Sequence, residues 1–137
     1  MPDTPEQPAN TPKKKVLLVD DDEDLLEIYE LKLLKAGFDA ETANGGLAAL
    51  RKMETFIPDV VVLDLMMPNC SGFDVLLKLQ QRAAPRPPVI VISGVHKDAD
   101  TVQRIRMEPI VFEFLFKPIS PKALVDTVRR AVPTELP

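Results

Sequence analysis

From Val16 onward, hydrophobic positions fall into two kinds of segment that alternate along the chain. The first kind is a short unbroken apolar run: VLLV at 16–19, VVVL at 60–63, VIVI at 89–92 and, less cleanly, VFEFLF at 111–116, with a weaker run, FDAET, at 38–42. The continuous runs are too short for helices and are bounded by Pro, Asp, Ser or Gly. They are predicted to be strands covered on both faces, as in a parallel sheet. The second kind is amphipathic. Leu25, Ile28, Tyr29, Leu33 and Ala36 recur at helical spacing, and Gly37 follows as a stop. Further helices are predicted over about 46–53, from Ser71-Gly72 through Phe73, Leu76 and Leu77, over about 99–107, and from Ser120-Pro121 through Leu124, Val128, Ala131 and Val132. Ser120 and Pro121 read as a helix-capping residue followed by a first-turn proline.

Five β/α repeats imply a doubly wound α/β fold with right-handed crossovers. Five strands favour the flavodoxin-like arrangement: a five-stranded parallel sheet of order 2-1-3-4-5 with five helices. Residues 1–13 carry Pro2, Pro5, Pro8 and Pro12 among polar residues and are predicted to be a disordered Pro-rich tail. Residues 14–132 are expected to form the globular domain and 133–137, PTELP, a C-terminal tail, with no second domain expected within these 137 residues.

Composition narrows the class without changing the fold. The chain has 137 residues, 45% hydrophobic and 28% charged, which suits one globular domain. Cys70 is its single cysteine, so an intrachain disulfide is excluded and a Cys-rich zinc site disfavoured. No apolar run approaches the roughly 18 residues of a membrane span, and the N-terminus has no apolar signal core, so a cytoplasmic setting is expected. The net charge of -4 argues against nucleic-acid binding by bulk electrostatics. The Lys13-Lys14-Lys15 run reads as a solvated strand edge.

In an open parallel sheet, ligands bind beyond the carboxyl ends of the strands, where strand order reverses, here between the first and third strands. The residues following the strands are Asp20-Asp21-Asp22-Glu23-Asp24 after the first, Asp64 after the third, Ser93-Gly94 after the fourth and Lys117-Pro118 after the fifth. Asp22 and Glu23 suit a helix N-terminus, where carboxylates meet the positive end of the dipole. Asp20, Asp21 and Asp64 would converge and repel one another, and a cation would resolve this. All-oxygen ligation with open water positions suits Mg²⁺ better than zinc. A carboxylate beside Mg²⁺ is a competent nucleophile toward phosphorus, and Ser93 and Lys117 would each meet a phosphoryl oxygen. Taken singly, Ser93 also reads as a turn hydroxyl and Lys117 as a solvated lysine.

These residues match a family. VLLVDDDEDLL (16–26), PDVVVLDLMMPNCSG (58–72), VIVISG (89–94) and FLFKPIS (114–120) occur in the order of a bacterial response regulator receiver domain, which the chain resembles from about Lys14 to Val132. The resemblance implies that Asp64 is the phosphoacceptor, served by a histidine kinase or a histidine phosphotransfer protein. It implies that Asp21, Asp64 and the backbone carbonyl of Met66 ligate Mg²⁺ while Asp20 acts through a metal-bound water. Ser93 is then the hydroxyl that moves toward the acyl phosphate, and Lys117 contacts it by charge. Lys117-Pro118 carries a cis peptide bond. Phe114 is the aromatic switch, turning inward as Ser93 shifts and repacking the helix 4–strand 5–helix 5 surface for protein–protein output or homodimerisation. Phe114 also reads as plain core. Phe112, Phe114 and Phe116 alternate, so their rings are expected to share one face. The family often has Gly-Ala before strand 5. Here Ile110-Val111 follow Met107-Glu108-Pro109, and Pro109 should end helix 4 early.

Met66 and Val95, each two residues past a site residue, are apolar and position no hydrolytic water, so a long-lived phosphorylated form is expected. Cys70 and His96 read as loop residues, and Met66-Met67 as packing beneath a loop. A metal-dependent phosphohydrolase using an aspartyl-phosphate is the alternative class, but it wants an acid where Met66 stands. A flavin- or nucleotide-binding module wants a phosphate-cradling loop where the acidic run stands. Both a stand-alone receiver and one cut from a longer hybrid kinase or transcription regulator fit the Pro-containing ends.

Overall fold

The computed structural model describes residues 13–67, 71–82, 86–94 and 99–132. Residues 1–12 of the N-terminal tail, the C-terminal tail, Cys70, Val95 and His96 lie outside the described residues. Five strands and five helices alternate: β1 (Lys15–Val19), α1 (Glu23–Lys35), β2 (Asp39–Ala43), α2 (Gly46–Lys52), β3 (Val60–Asp64), α3 (Gly72–Gln80), β4 (Val89–Ser93), α4 (Ala99–Arg106), β5 (Val111–Phe116) and α5 (Pro121–Ala131). All strand pairs are parallel, and the order is β2-β1-β3-β4-β5.

The three central strands are apolar on both faces because both faces are covered. β3 and β4 are buried at every position, whereas the edge strands β2 and β5 mix buried and partly exposed residues. Successive side chains point to opposite faces, so each strand feeds two cores. Leu17, Val61, Leu63 and Val91 join Ala49, Val75, Leu79 and Ile105 on one side. Leu18, Val62, Ile90 and Ile92 join Leu26, Tyr29, Leu33, Leu124 and Val128 on the other. Fully burying one such side chain stabilises the fold by about 1.5–3 kcal/mol.

Local chemistry sets the helix ends. The Asp22 side chain accepts from Leu25 N–H (3.1 Å), and Glu23 and Asp24 occupy the first turn of α1. Ser71 and Asp74 form a reciprocal capping box on α3. Ser120 accepts from Ala123 N–H (3.0 Å), with Pro121 in the first turn of α5. Gly37 follows α1 with φ +99°, a conformation that side-chain-bearing residues resist. α4 ends at Arg106, with Pro109 in the turn before β5.

Three packing expectations are corrected. Ile28 is exposed, and Leu26 takes the buried position. Phe73 and Leu77 are exposed; of the three predicted positions only Leu76 is buried, and α3 adds Val75 and Leu79. The spacing also allowed these faces: Leu26, Tyr29 and Leu33 on α1, and Val75, Leu76 and Leu79 on α3, recur three and four residues apart as well. The three phenylalanines of β5 do not share a face. Val89 pairs with Val111 but Ile90 pairs with Glu113, so a β-bulge at Phe112 shifts the alternation. Val111 and Phe114 therefore both enter the first core, while Phe112 lies against the Arg130 guanidinium of α5 at 6.0 Å.

Candidate functional site

Parallel pairing brings the carboxyl ends of β1, β3, β4 and β5 to one rim. Val19 is level with Leu63, Asp64 with Ile92, and Ser93 with Phe116. Backbone bonds continue past the strands: Asp20 N–H donates to the Ala43 carbonyl (3.1 Å), Leu65 N–H to Ile92 (3.1 Å) and Lys117 N–H to Ser93 (2.8 Å). These bonds carry the backbone ladder one residue past the strands.

Asp20, Asp21 and Asp64 each place a carboxylate oxygen within 4.8 Å of the others. Asp20 and Asp64 are buried and Asp21 is exposed. Lys117 reaches in from beyond β5, with Nζ 2.8 Å from Asp20 Oδ2 and 3.5 Å from Asp64 Oδ2. The contact with Asp20 Oδ2 acts through charge: this buried oxygen receives no aligned hydrogen bond. Asp20 Oδ1 accepts from Asp22 N–H (3.0 Å), and Asp64 Oδ1 accepts from Met66 N–H (3.1 Å). Ser93 is buried at the end of β4. The Lys117–Pro118 peptide bond is cis.

Electrostatics follow from this packing. Burial pushes the Asp64 carboxyl up to about 6, against the Met66 N–H and with the help of Asp20; Lys117 pulls it down and Asp21 adds a smaller upward push. Burial alone would lower the Lys117 ammonium, but Asp20 and Asp64 outweigh it and hold it above its usual value.

The described residues fit a divalent cation. Three carboxylates face one ammonium, every side-chain donor is oxygen, and Asp20 Oδ2 lacks a directed hydrogen bond. Such a donor set suits Mg²⁺.

One glycine shapes the rim. A Cβ on Gly72 would fall on the Asp64 carbonyl oxygen and 2.6 Å from Leu65 Cα, so only glycine lets α3 begin against the end of β3. Met67 is buried, whereas Met66 is 52% exposed. Phe114 is turned inward at 5% exposure, 5.1 Å from the Phe116 ring centroid, with the Arg106 guanidinium about as close to both rings (5.9 and 5.8 Å). From the sequence alone Tyr29 is only an apolar helix position. Its hydroxyl donates to the Ile119 carbonyl (2.8 Å), just past Lys117-Pro118, and no local pattern points to that contact.

Comparison with known proteins places this rim in a family. Residues 16–129 match the family model described as the response regulator receiver domain. The chain is 34% identical over 109 residues to the alkaline phosphatase synthesis transcriptional regulatory protein PhoP of Bacillus subtilis, covering 80% of this chain and 44% of that protein. It is 34% identical over 120 residues to the DNA-binding response regulator MtrA of Mycobacterium tuberculosis, covering 88% and 51%. The chain thus spans about half the length of these relatives. Among solved structures, the signal receiver domain of a putative LuxO repressor protein from Vibrio parahaemolyticus superposes with a TM-score of 0.78 at 28% identity, covering 87% of this chain and 89% of that one. The response regulator signal receiver domain from Bermanella marisrubri superposes with a TM-score of 0.76 at 32% identity, covering 88% and 98%. In sequence and in fold alike, this chain belongs to the response regulator receiver domains of two-component signalling.

Proposed function

We propose that Asp64 accepts the phosphoryl group. Its partner is a histidine kinase or a histidine phosphotransfer protein. A carboxylate oxygen of Asp64 attacks phosphorus, the phosphorus–nitrogen bond breaks, and the imidazole nitrogen leaves with the electron pair and takes a proton. The observation that carries this reading is the convergence of Asp20, Asp21 and Asp64 around one point, with Lys117 Nζ 3.5 Å from Asp64 Oδ2.

Asp20, Asp21, Asp64 and the Met66 carbonyl would hold Mg²⁺, which when bound supplies positive charge to offset that of the transferring group. The chain's own residues do the rest. Met66 N–H fixes Asp64 Oδ1 while Lys117 faces Oδ2, so the carboxylate is held before any donor arrives. The Lys117 ammonium meets the negative charge that arrives with the phosphoryl group, and the Ser93 hydroxyl donates to one of its oxygens.

Output is a packing event. Phe114 already sits inward, so phosphorylation stabilises this arrangement against an outward one, drawing Ser93 and Lys117 toward the new oxygens. The readout surface is α4, β5 and α5, used for protein–protein contact or for pairing two copies. The domain acts on no separate substrate and catalyses only its own phosphorylation and dephosphorylation, in the cytoplasm. No described helix is long and apolar enough to cross a membrane. A net charge of -4 disfavours direct nucleic-acid binding by this domain; the regulators it resembles are about twice its length, and any DNA binding belongs to such a whole protein. Residues 14–132 are the unit that carries the activity. A phosphohydrolase is not favoured, because Met66 has no proton to give where that chemistry needs an acid.

The test is incubation with acetyl phosphate and Mg²⁺ followed by intact-mass measurement. One added phosphoryl group, absent from Asp64→Asn, is expected; an adduct that persists in Asp64→Asn overturns the assignment.

A further inference from the structure

Tyr29 stands on α1 with 2% of its surface exposed, between Leu26 and Leu33 in the core beneath β1. A leucine or phenylalanine would fill that space. The tyrosine adds a hydroxyl, and a buried hydroxyl needs a partner. It finds the carbonyl of Ile119 at 2.8 Å, across 90 residues of sequence. Ile119 is two residues past Lys117 and directly precedes Ser120, whose side chain caps α5. The turn carrying the ammonium is therefore held at three places: Lys117 N–H on the Ser93 carbonyl at 2.8 Å, Ile119 on Tyr29, and Ser120 on Ala123 N–H at 3.0 Å.

We infer that the Tyr29 hydroxyl is a positioning group for Lys117, holding the turn so that the ammonium reaches Asp20 and Asp64, and that it thereby sets the rate of phosphoryl transfer. The inference rests on the receiver reading above. Lys117 Nζ lies 2.8 Å from one carboxylate oxygen and 3.5 Å from the other, on a long flexible stem. Where that stem starts decides how the ammonium divides its contact between the two acids. The Tyr29–Ile119 bond fixes the far side of the starting point, as Ser93 fixes the near side. Burial raises the Tyr29 hydroxyl above its ordinary pKa.

The experiment is a double-mutant cycle on the full chain. Phosphoramidate and Mg²⁺ are the probe, and intact mass against time is the readout. Tyr29→Phe keeps the ring and removes only the oxygen. It is expected to slow labelling of Asp64 on the order of threefold to tenfold, the loss of one hydrogen bond's worth of positioning. In a Lys117→Ala background the same change is expected to have no further effect, because the group it positions is gone. A purely structural role predicts equal slowing in both backgrounds, and that result overturns the inference. So does a Tyr29→Phe rate equal to that of the unaltered chain. The Lys117 ammonium ¹⁵N resonance gives a readout independent of turnover: it moves in Tyr29→Phe if the turn is released, and an unmoved resonance contradicts the role. If the unaltered chain is labelled and slowed by Lys117→Ala but indifferent to Tyr29→Phe, only the inference fails. If the unaltered chain is never labelled on Asp64, the receiver reading and the inference fall together.

Discussion

Lys117 Nζ is closer to Asp20 Oδ2, at 2.8 Å, than to Asp64 Oδ2, at 3.5 Å. The ammonium is thus a counter-charge for the acidic rim as a whole. It competes for the same carboxylates that would hold a cation. Replacing Lys117 with Ala leaves three acids uncompensated, so Mg²⁺ affinity is expected to rise about tenfold, a modest share of the Coulomb energy at these distances. Isothermal titration of Mg²⁺ into both proteins checks this; an unchanged or weaker affinity would show that Lys117 does not share the site.

The pH dependence of stability follows from Asp64. Its pKa is raised from 3.8 to about 6, so between those values the folded chain holds a proton that the unfolded chain releases. Stability from this group is full below about pH 4 and is lost as pH rises through 6. Metal-free protein should lose on the order of 2–3 kcal/mol across that window through Asp64 alone. Urea denaturation in a chelator at several pH values, with Asp64→Asn as reference, isolates the effect. The difference between the two proteins should grow in favour of the variant with rising pH, and a flat difference contradicts the burial of Asp64.

Gly72→Ala drives a methyl group into backbone, not into a side chain that could rotate away. A cost of about 3 kcal/mol is expected. Thermal unfolding measures it, and a change within about 0.5 kcal/mol would mean that the β3–α3 junction relaxes freely.

The bulge in β5 separates the phenylalanines by energy. Phe114 is buried, whereas Phe112 and Phe116 are 41% and 38% exposed. Phe114→Ala is expected to cost about 3–5 kcal/mol, and the same change at Phe112 or Phe116 less than about 1.5 kcal/mol. Equal losses at all three positions would restore the shared face that simple alternation predicts.

Met66 is 52% exposed beside Asp64 and offers no polar group to a hydrolytic water. The phosphorylated form is therefore expected to be long-lived, and Met66→Asn combined with Val95→Glu should shorten its lifetime about tenfold. Decay of the labelled protein, followed by mass, decides the matter; an unchanged rate removes side chains at these positions as the cause.

Much of this molecule could be read locally. The apolar runs of β3 and β4 announce strands covered on both sides, and Ser71, Ser120 and Gly37 mark helix ends through bonds made within a few residues. The rule that ligands sit beyond strand ends points to Asp20, Asp21, Asp64, Ser93 and Lys117 from the sequence alone. Sequence alone thus determined the order of elements and the roster of candidate groups, because hydrophobic period and capping are short-range. The tertiary structure decided what depends on how elements meet. It buried Leu26 and Val75 and exposed Ile28, Phe73 and Leu77, since tertiary packing settles which of the faces allowed by helical spacing a helix turns to the sheet. It inserted the bulge that turns Phe112 toward Arg130. It brought Lys117 to Asp64 across 53 residues and the Tyr29 hydroxyl to Ile119 across 90. Such contacts leave no periodic trace in the chain, because their geometry is set by sheet register and by the packing of α1 against the turn after β5.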